Sequence, residues 1–173
     1  MLALIAFIAT IPAANWLVGH VGTVCIPNGP CLVPVWPGID APSGVMMIGI
    51  ALVLRDMVQL RLGKLWSLAA IAIGAAVSAF IVPPALVVAS TAAFLLSELA
   101  DFAIYTPLAR RRLILAVVLS TAVGIVIDSL VFLHLAFGSL DHLEGQIIGK
   151  MWMVALSVPI IQLMRNRLTP RAA

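Results

Sequence analysis

The sequence predicts an all-α integral membrane protein, a six-transmembrane-helix bundle with both termini in the cytoplasm. Three observations lead there. The 173 residues are 63% hydrophobic and only 10% charged, with a mean hydropathy of +1.18, against roughly 45–50% apolar and 25% charged residues in soluble domains. The apolar residues form continuous runs of about 20, the length that crosses roughly 30 Å of hydrocarbon, and they lack the alternation of a soluble core or a barrel strand. Eight of the ten Lys and Arg residues fall in alternate connections.

The runs are Leu2–Val24, Ser43–Leu60, Leu65–Val82, Ala85–Leu108, Leu113–Phe137 and Gly145–Met164. Helices are expected because every backbone group facing lipid must find its partner within its own segment. The first run has no basic stretch ahead of it and is followed by further runs, so a retained span is expected and not a cleaved signal peptide. The Pro- and Gly-rich CIPNGPCLVPVWPGIDAPS, the short RLGK, the pair Pro83 and Pro84, the basic ARRR and the acidic GSLDHLEG mark the connections. No internal repeat or low-complexity linker divides the chain, so one transmembrane domain over residues 1–173 is expected.

Arg61 and Lys64 follow the second run, Arg110, Arg111 and Arg112 the fourth, and Arg165, Arg167 and Arg171 the sixth. The positive-inside rule places these connections and both termini in the cytoplasm. The sequence pI near 9.4 therefore reads as membrane orientation, with no nucleic-acid partner. Cys25 and Cys31 fall in the long outer connection. An oxidising outer face allows a disulfide around Asn28 and Gly29, two free thiols being the other reading. No His cluster stands near them to build a zinc site.

Six ionisable residues fall inside the runs: Arg55, Asp56, Glu98, Asp101, Asp128 and Lys150. Each costs about 2.5–3.5 kcal/mol at a helix centre and needs a partner or an aqueous cavity. The plain explanation is mutual neutralisation, Arg55 with Glu98 or Asp101 and Lys150 with Asp128, fixing helix packing. Buried pairs stabilise poorly, however, and four acids against two bases leave acceptors over. A polar cavity that takes a ligand fits that surplus better. Glu98 and Asp101 share a helix face continued by Tyr105, and Gln146 and Lys150 share another. Asn15 and Gln59 add neutral hydrogen-bonding groups, and Trp16 and Trp152 are candidate flat walls. His20 and His134 sit toward the outer ends of their runs, where interface packing is the expected role.

Five segments carry a resemblance to a known family: ANWLV at 14–18, LRDMVQLRLG at 54–63, SELADFAIYTPL at 97–108, GIVIDSLVFLHLAFG at 124–138 and GQIIGK at 145–150. Together they resemble the vitamin uptake transporter family, whose characterised members are queuosine precursor transporters. The resemblance implies a fold similar to the substrate-binding S components of energy-coupling-factor transporters, and uptake of 7-cyano-7-deazaguanine or a related 7-deazapurine across the plasma or inner membrane, with no cofactor, no metal and no catalysis. It implies a heterocyclic small-molecule substrate, with lipid around the bundle and further copies of the chain or coupling subunits as candidate partners.

On that reading Glu98, Asp101 or Asp128 accepts the adjacent donors of a guanine-like edge, since one carboxylate can take both. Lys150 and Gln146 donate to the ring carbonyl, Asn15 serves another polar edge, and Trp152 or Phe102 stacks on the ring. Arg55 and Gln59 complete the candidate wall. Two other readings compete. A substrate-binding subunit of an energy-coupling-factor transporter could dock through the stripe Ala3, Ala6, Ala9 and Ala13, and an intramembrane aspartyl protease would use Asp101 and Asp128 as its dyad.

Overall fold

The computed structural model describes residues 2–109 and 112–168. Within them, six α-helices follow the order of the apolar runs: α1 Leu2–His20, α2 Ile48–Leu62, α3 Lys64–Ser78, α4 Pro84–Ala109, α5 Leu113–Phe137 and α6 Leu143–Leu168. The breaks fall where the punctuation residues stand. Gly63 alone separates α2 from α3. After α3, Pro84 opens α4, a position where the missing N–H would have no helical partner anyway.

The first connection departs from the sequence expectation of helices and loops only. It holds a three-stranded antiparallel sheet, β1 Val24–Cys25, β2 Cys31–Trp36 and β3 Ile39–Pro42, in the order β1-β2-β3. Val24 pairs with Leu32 and so belongs to β1, which is why α1 ends at His20 and not at Val24. Gly38, at φ 76°, makes the reversal between β2 and β3, a conformation an L side chain rarely takes. Cys25 and Cys31 face each other across β1 and β2 and are joined by a disulfide. A 3-10 segment, Ser43–Met47, leads from β3 into α2, so the second run is helical throughout but tighter in its first turns.

The sheet is seated on α1 and on the start of α6. The seat at α6 is close: a Cβ placed on Gly145 would lie 2.0 Å from the Asp40 carbonyl oxygen, so only glycine lets the strand and helix meet there. Val35 of β2 and Val45 press on Gly149 one turn further along.

Two apolar clusters hold the helices. One joins Leu86, Ala89 and Ala93 of α4 to Phe132 and Leu133 of α5, with Val18 of α1 and Val82 at its outer edge. Ala89 and Ala93 are one turn apart, and their small side chains let α4 and α5 lie against each other along their length. The other joins Phe7 of α1, Val58 of α2 and Ala70 and Ile71 of α3. Ala3, the first residue of the small-residue stripe on α1, packs into this second cluster.

The surface inverts the soluble pattern. Phe80 is 93% exposed and Leu65 81%, while Ser43, Ser78 and Ser129 are fully buried. An apolar exterior around a polar interior is what a lipid solvent selects. Among the described residues, Leu2–His20 and Val118–Phe137 are long and apolar enough to cross a membrane by length and composition. Ser43–Arg55, Leu65–Ser78 and Pro84–Ala100 are shorter apolar helical stretches.

Candidate functional site

A cavity of about 590 Å³ lies among the helices, bordered by Phe7 and Ile71 of one apolar cluster and by Val18 and Phe132 of the other. Each helix contributes to it, and the costly polar residues of the sequence converge there. Asn15, Arg55, Glu98, Asp128, Gln146 and Lys150 all line its wall.

On one side, Arg55 of α2 reaches across to α4, its Nη1 donating to Glu98 Oε1 at 2.6 Å. On the other, Lys150 of α6 donates to Asp128 Oδ2 of α5 at 2.5 Å and to Ser129 Oγ at 2.9 Å. Asn15 of α1 links to α4 through Nδ2 donating to Ser90 Oγ at 3.2 Å. Both ion pairs proposed from charge balance are therefore formed, and both face the same space. Neutralisation and ligand recognition are not exclusive here, because each carboxylate has a second oxygen and an ammonium has three N–H donors.

Gln146 lies one turn before Lys150 on α6, as the four-residue spacing predicts. It is 3% exposed, and its Oε1 is buried without a hydrogen-bond partner among the described residues. A buried amide oxygen left unpaired costs about 1–3 kcal/mol, so this side chain gains from any ligand that reorients and satisfies it.

Trp152 requires a correction. It does not line the cavity; it is 47% exposed and stacks on Trp36 of β2, with ring centroids 6.4 Å apart. Two residues beyond Lys150 on a helix of 3.6 residues per turn, it faces away from the wall that Lys150 occupies. Trp16 is likewise outward and stacks on His20, whose Nδ1 lies 2.9 Å from the Trp16 carbonyl oxygen. The side chains of Gln59, Asp101 and Phe102, and with them Asp56 and Tyr105, lie outside the described residues.

Among the described residues the aromatic walls are Phe7, Phe94 and Phe132. Spacing could have found two of them: Phe94 is four residues before Glu98 and Phe132 four after Asp128, so each shares a helix face with a cavity acid. Asp128 accepts from Lys150, and the side chain of Asp101, its partner in the dyad reading, lies outside the described residues.

No curated protein and no solved structure matches the chain. A family model described as "Putative vitamin uptake transporter" matches residues 45–166, from the 3-10 segment before α2 to the last turns of α6. Of the six polar wall residues Asn15, Arg55, Glu98, Asp128, Gln146 and Lys150, that stretch carries all but Asn15. The match spans well over half of the chain, and the chain belongs to the vitamin uptake transporter family.

Proposed function

We propose that this membrane transporter imports a 7-deazaguanine, 7-cyano-7-deazaguanine or its aminomethyl relative, and that the ligand occupies the cavity between the two ion pairs. The observation that carries the proposal is the pairing of opposite functions on opposing walls. Glu98 and Asp128 bring carboxylate acceptors, Lys150 brings a donor, and Phe94 and Phe132 bring flat apolar surfaces, all onto one space. A volume of about 590 Å³ falls in the range of roughly 300–1,000 Å³ typical of small-molecule sites.

A neutral, planar, polar-edged heterocycle suits that wall. Its adjacent ring N–H and amine match a carboxylate, its ring carbonyl matches an ammonium, and its faces match the phenylalanines. A purely charged substrate would need an excess of one sign; among the described residues of the wall the two pairs balance.

In this reading all six helices cross the inner or plasma membrane, both termini lie in the cytoplasm, and the sheet caps the outer end. The decisive experiment uses cells unable to make queuosine precursors. Expression of this chain is expected to restore queuosine in tRNA from a low external concentration of 7-cyano-7-deazaguanine. Absence of rescue with the protein present in the membrane would overturn the substrate assignment. Tags at the two ends, tested for accessibility in intact cells, check the topology.

A further inference from the structure

Ser129 differs from three other helical serines of this chain. Ser90, Ser97 and Ser157 donate their hydroxyls to the carbonyl three residues earlier, at 3.2, 2.8 and 2.8 Å. That is the default for a serine in a helix surrounded by apolar groups, because the backbone is the nearest acceptor. Ser129, fully buried on α5, has its Oγ turned across to the next helix, where it accepts from Lys150 Nζ at 2.9 Å.

Asp128 and Ser129 are consecutive, so their side chains leave α5 about 100° apart. Asp128 lines the cavity and Ser129 does not. One ammonium reached by both must sit in the crevice between α5 and α6, with the carboxylate on its cavity side and the hydroxyl behind it. A lone Lys–Asp contact would leave the flexible four-carbon stem free to swing about the carboxylate. The second, fixed acceptor removes that freedom. Two of the three N–H donors are then assigned, and the third remains for whatever fills the cavity.

The geometry points to Ser129 as a positioning residue for recognition: by holding the Lys150 ammonium, it presents the third N–H to a carbonyl oxygen on the ligand and so selects an oxo-substituted ring over its amino-substituted counterpart. This rests on the reading of the cavity as the transport site and adds the residue that aims Lys150 at the ring carbonyl. An amino group at the same position would set donor against donor. Sites built around a hydrogen bond reject ligands that cannot complete it far more strongly than apolar pockets reject a change of size.

The test measures uptake of 7-deazaguanine and of the analogue whose ring carbonyl is replaced by an amino group, in wild type, Ser129→Ala and Ser129→Thr. Wild type is expected to prefer the oxo compound by about 100-fold or more, and Ser129→Ala to reduce that ratio by about tenfold or more. Ser129→Thr, which keeps the hydroxyl, retains most of the preference. The ratio is taken within each variant, so the amount of folded protein cancels.

An unchanged ratio in Ser129→Ala overturns the inference, and so does equal loss of both compounds, which is the signature of damaged packing alone. If wild type transports neither compound, the failure belongs to the substrate assignment. If wild type discriminates and Ser129→Ala does so equally well, only the role of Ser129 fails.

Discussion

The two ion pairs of the cavity differ in how firmly each is built. Lys150 and Asp128 have side chains 5% and 24% exposed, and Ser129 secures the ammonium from behind. Arg55 and Glu98 are more open, at 28% and 45%. Breaking a buried pair strands a charge that water cannot reach, whereas an open pair exchanges protein contacts for solvent at little net cost. The first pair is therefore part of the architecture of the wall, and the second is the more open to an arriving ligand.

The largest effect is expected from Lys150→Met. Leaving Asp128 without its partner should cost about 3–5 kcal/mol of stability and abolish uptake. Adding Asp128→Asn to Lys150→Met removes the stranded charge and should recover much of the stability without recovering uptake. Thermal melts of purified protein and transport assays, run on both variants, separate the two contributions.

Gly145→Val addresses the support under the buried pair. Its side chain would have to displace the backbone of Asp40, an overpacking expected to cost about 1–3 kcal/mol. A melting temperature equal to wild type would show that the sheet yields freely at that contact, contrary to the close seat described. On the open side, Glu98→Gln should shift stability by no more than about 1 kcal/mol yet raise the KM for uptake clearly. If stability fell as far as in Lys150→Met, the contrast between the pairs would collapse. Trp152→Ala should change KM least of all, since this ring lies on the same helix as Lys150 but faces Trp36.

What the sequence revealed follows from what a membrane makes expensive. The helices were legible because crossing lipid demands long apolar runs, and α5 begins and ends where its run does, at Leu113 and Phe137. The charged members of the site were legible for the same reason: an ionised side chain inside such a run requires an explanation. Arg55, Glu98, Asp128 and Lys150 all meet in one place.

The sheet was hidden by its own proline. Pro34 lies in the central strand β2, where a residue without an N–H argues against a strand, and it is accommodated beside a shift in register between Pro34 and Trp36. The contacts of Ser90 to Asn15 and of Ser129 to Lys150 were not legible, because a serine in a transmembrane helix ordinarily bonds its own backbone and the sequence alone does not say which one reaches to a neighbour. Trp152 misled because its chemistry suits a flat ligand while its helical phase faces the opposite way.

The contact between Gly145 and Asp40 also bears on mechanics. Gln146, the residue of the wall with an unanswered carbonyl, is the next residue after that contact, and Lys150 lies just over one turn beyond. A rigid helix carries a displacement along its axis with little loss, so a push or pull on β3 would be expected to move Gln146 and Lys150 together. On the proposed topology this hairpin lies outside and is a handle on the interior: a binder clamped to the β2 and β3 turn is expected to change ligand affinity without entering the cavity.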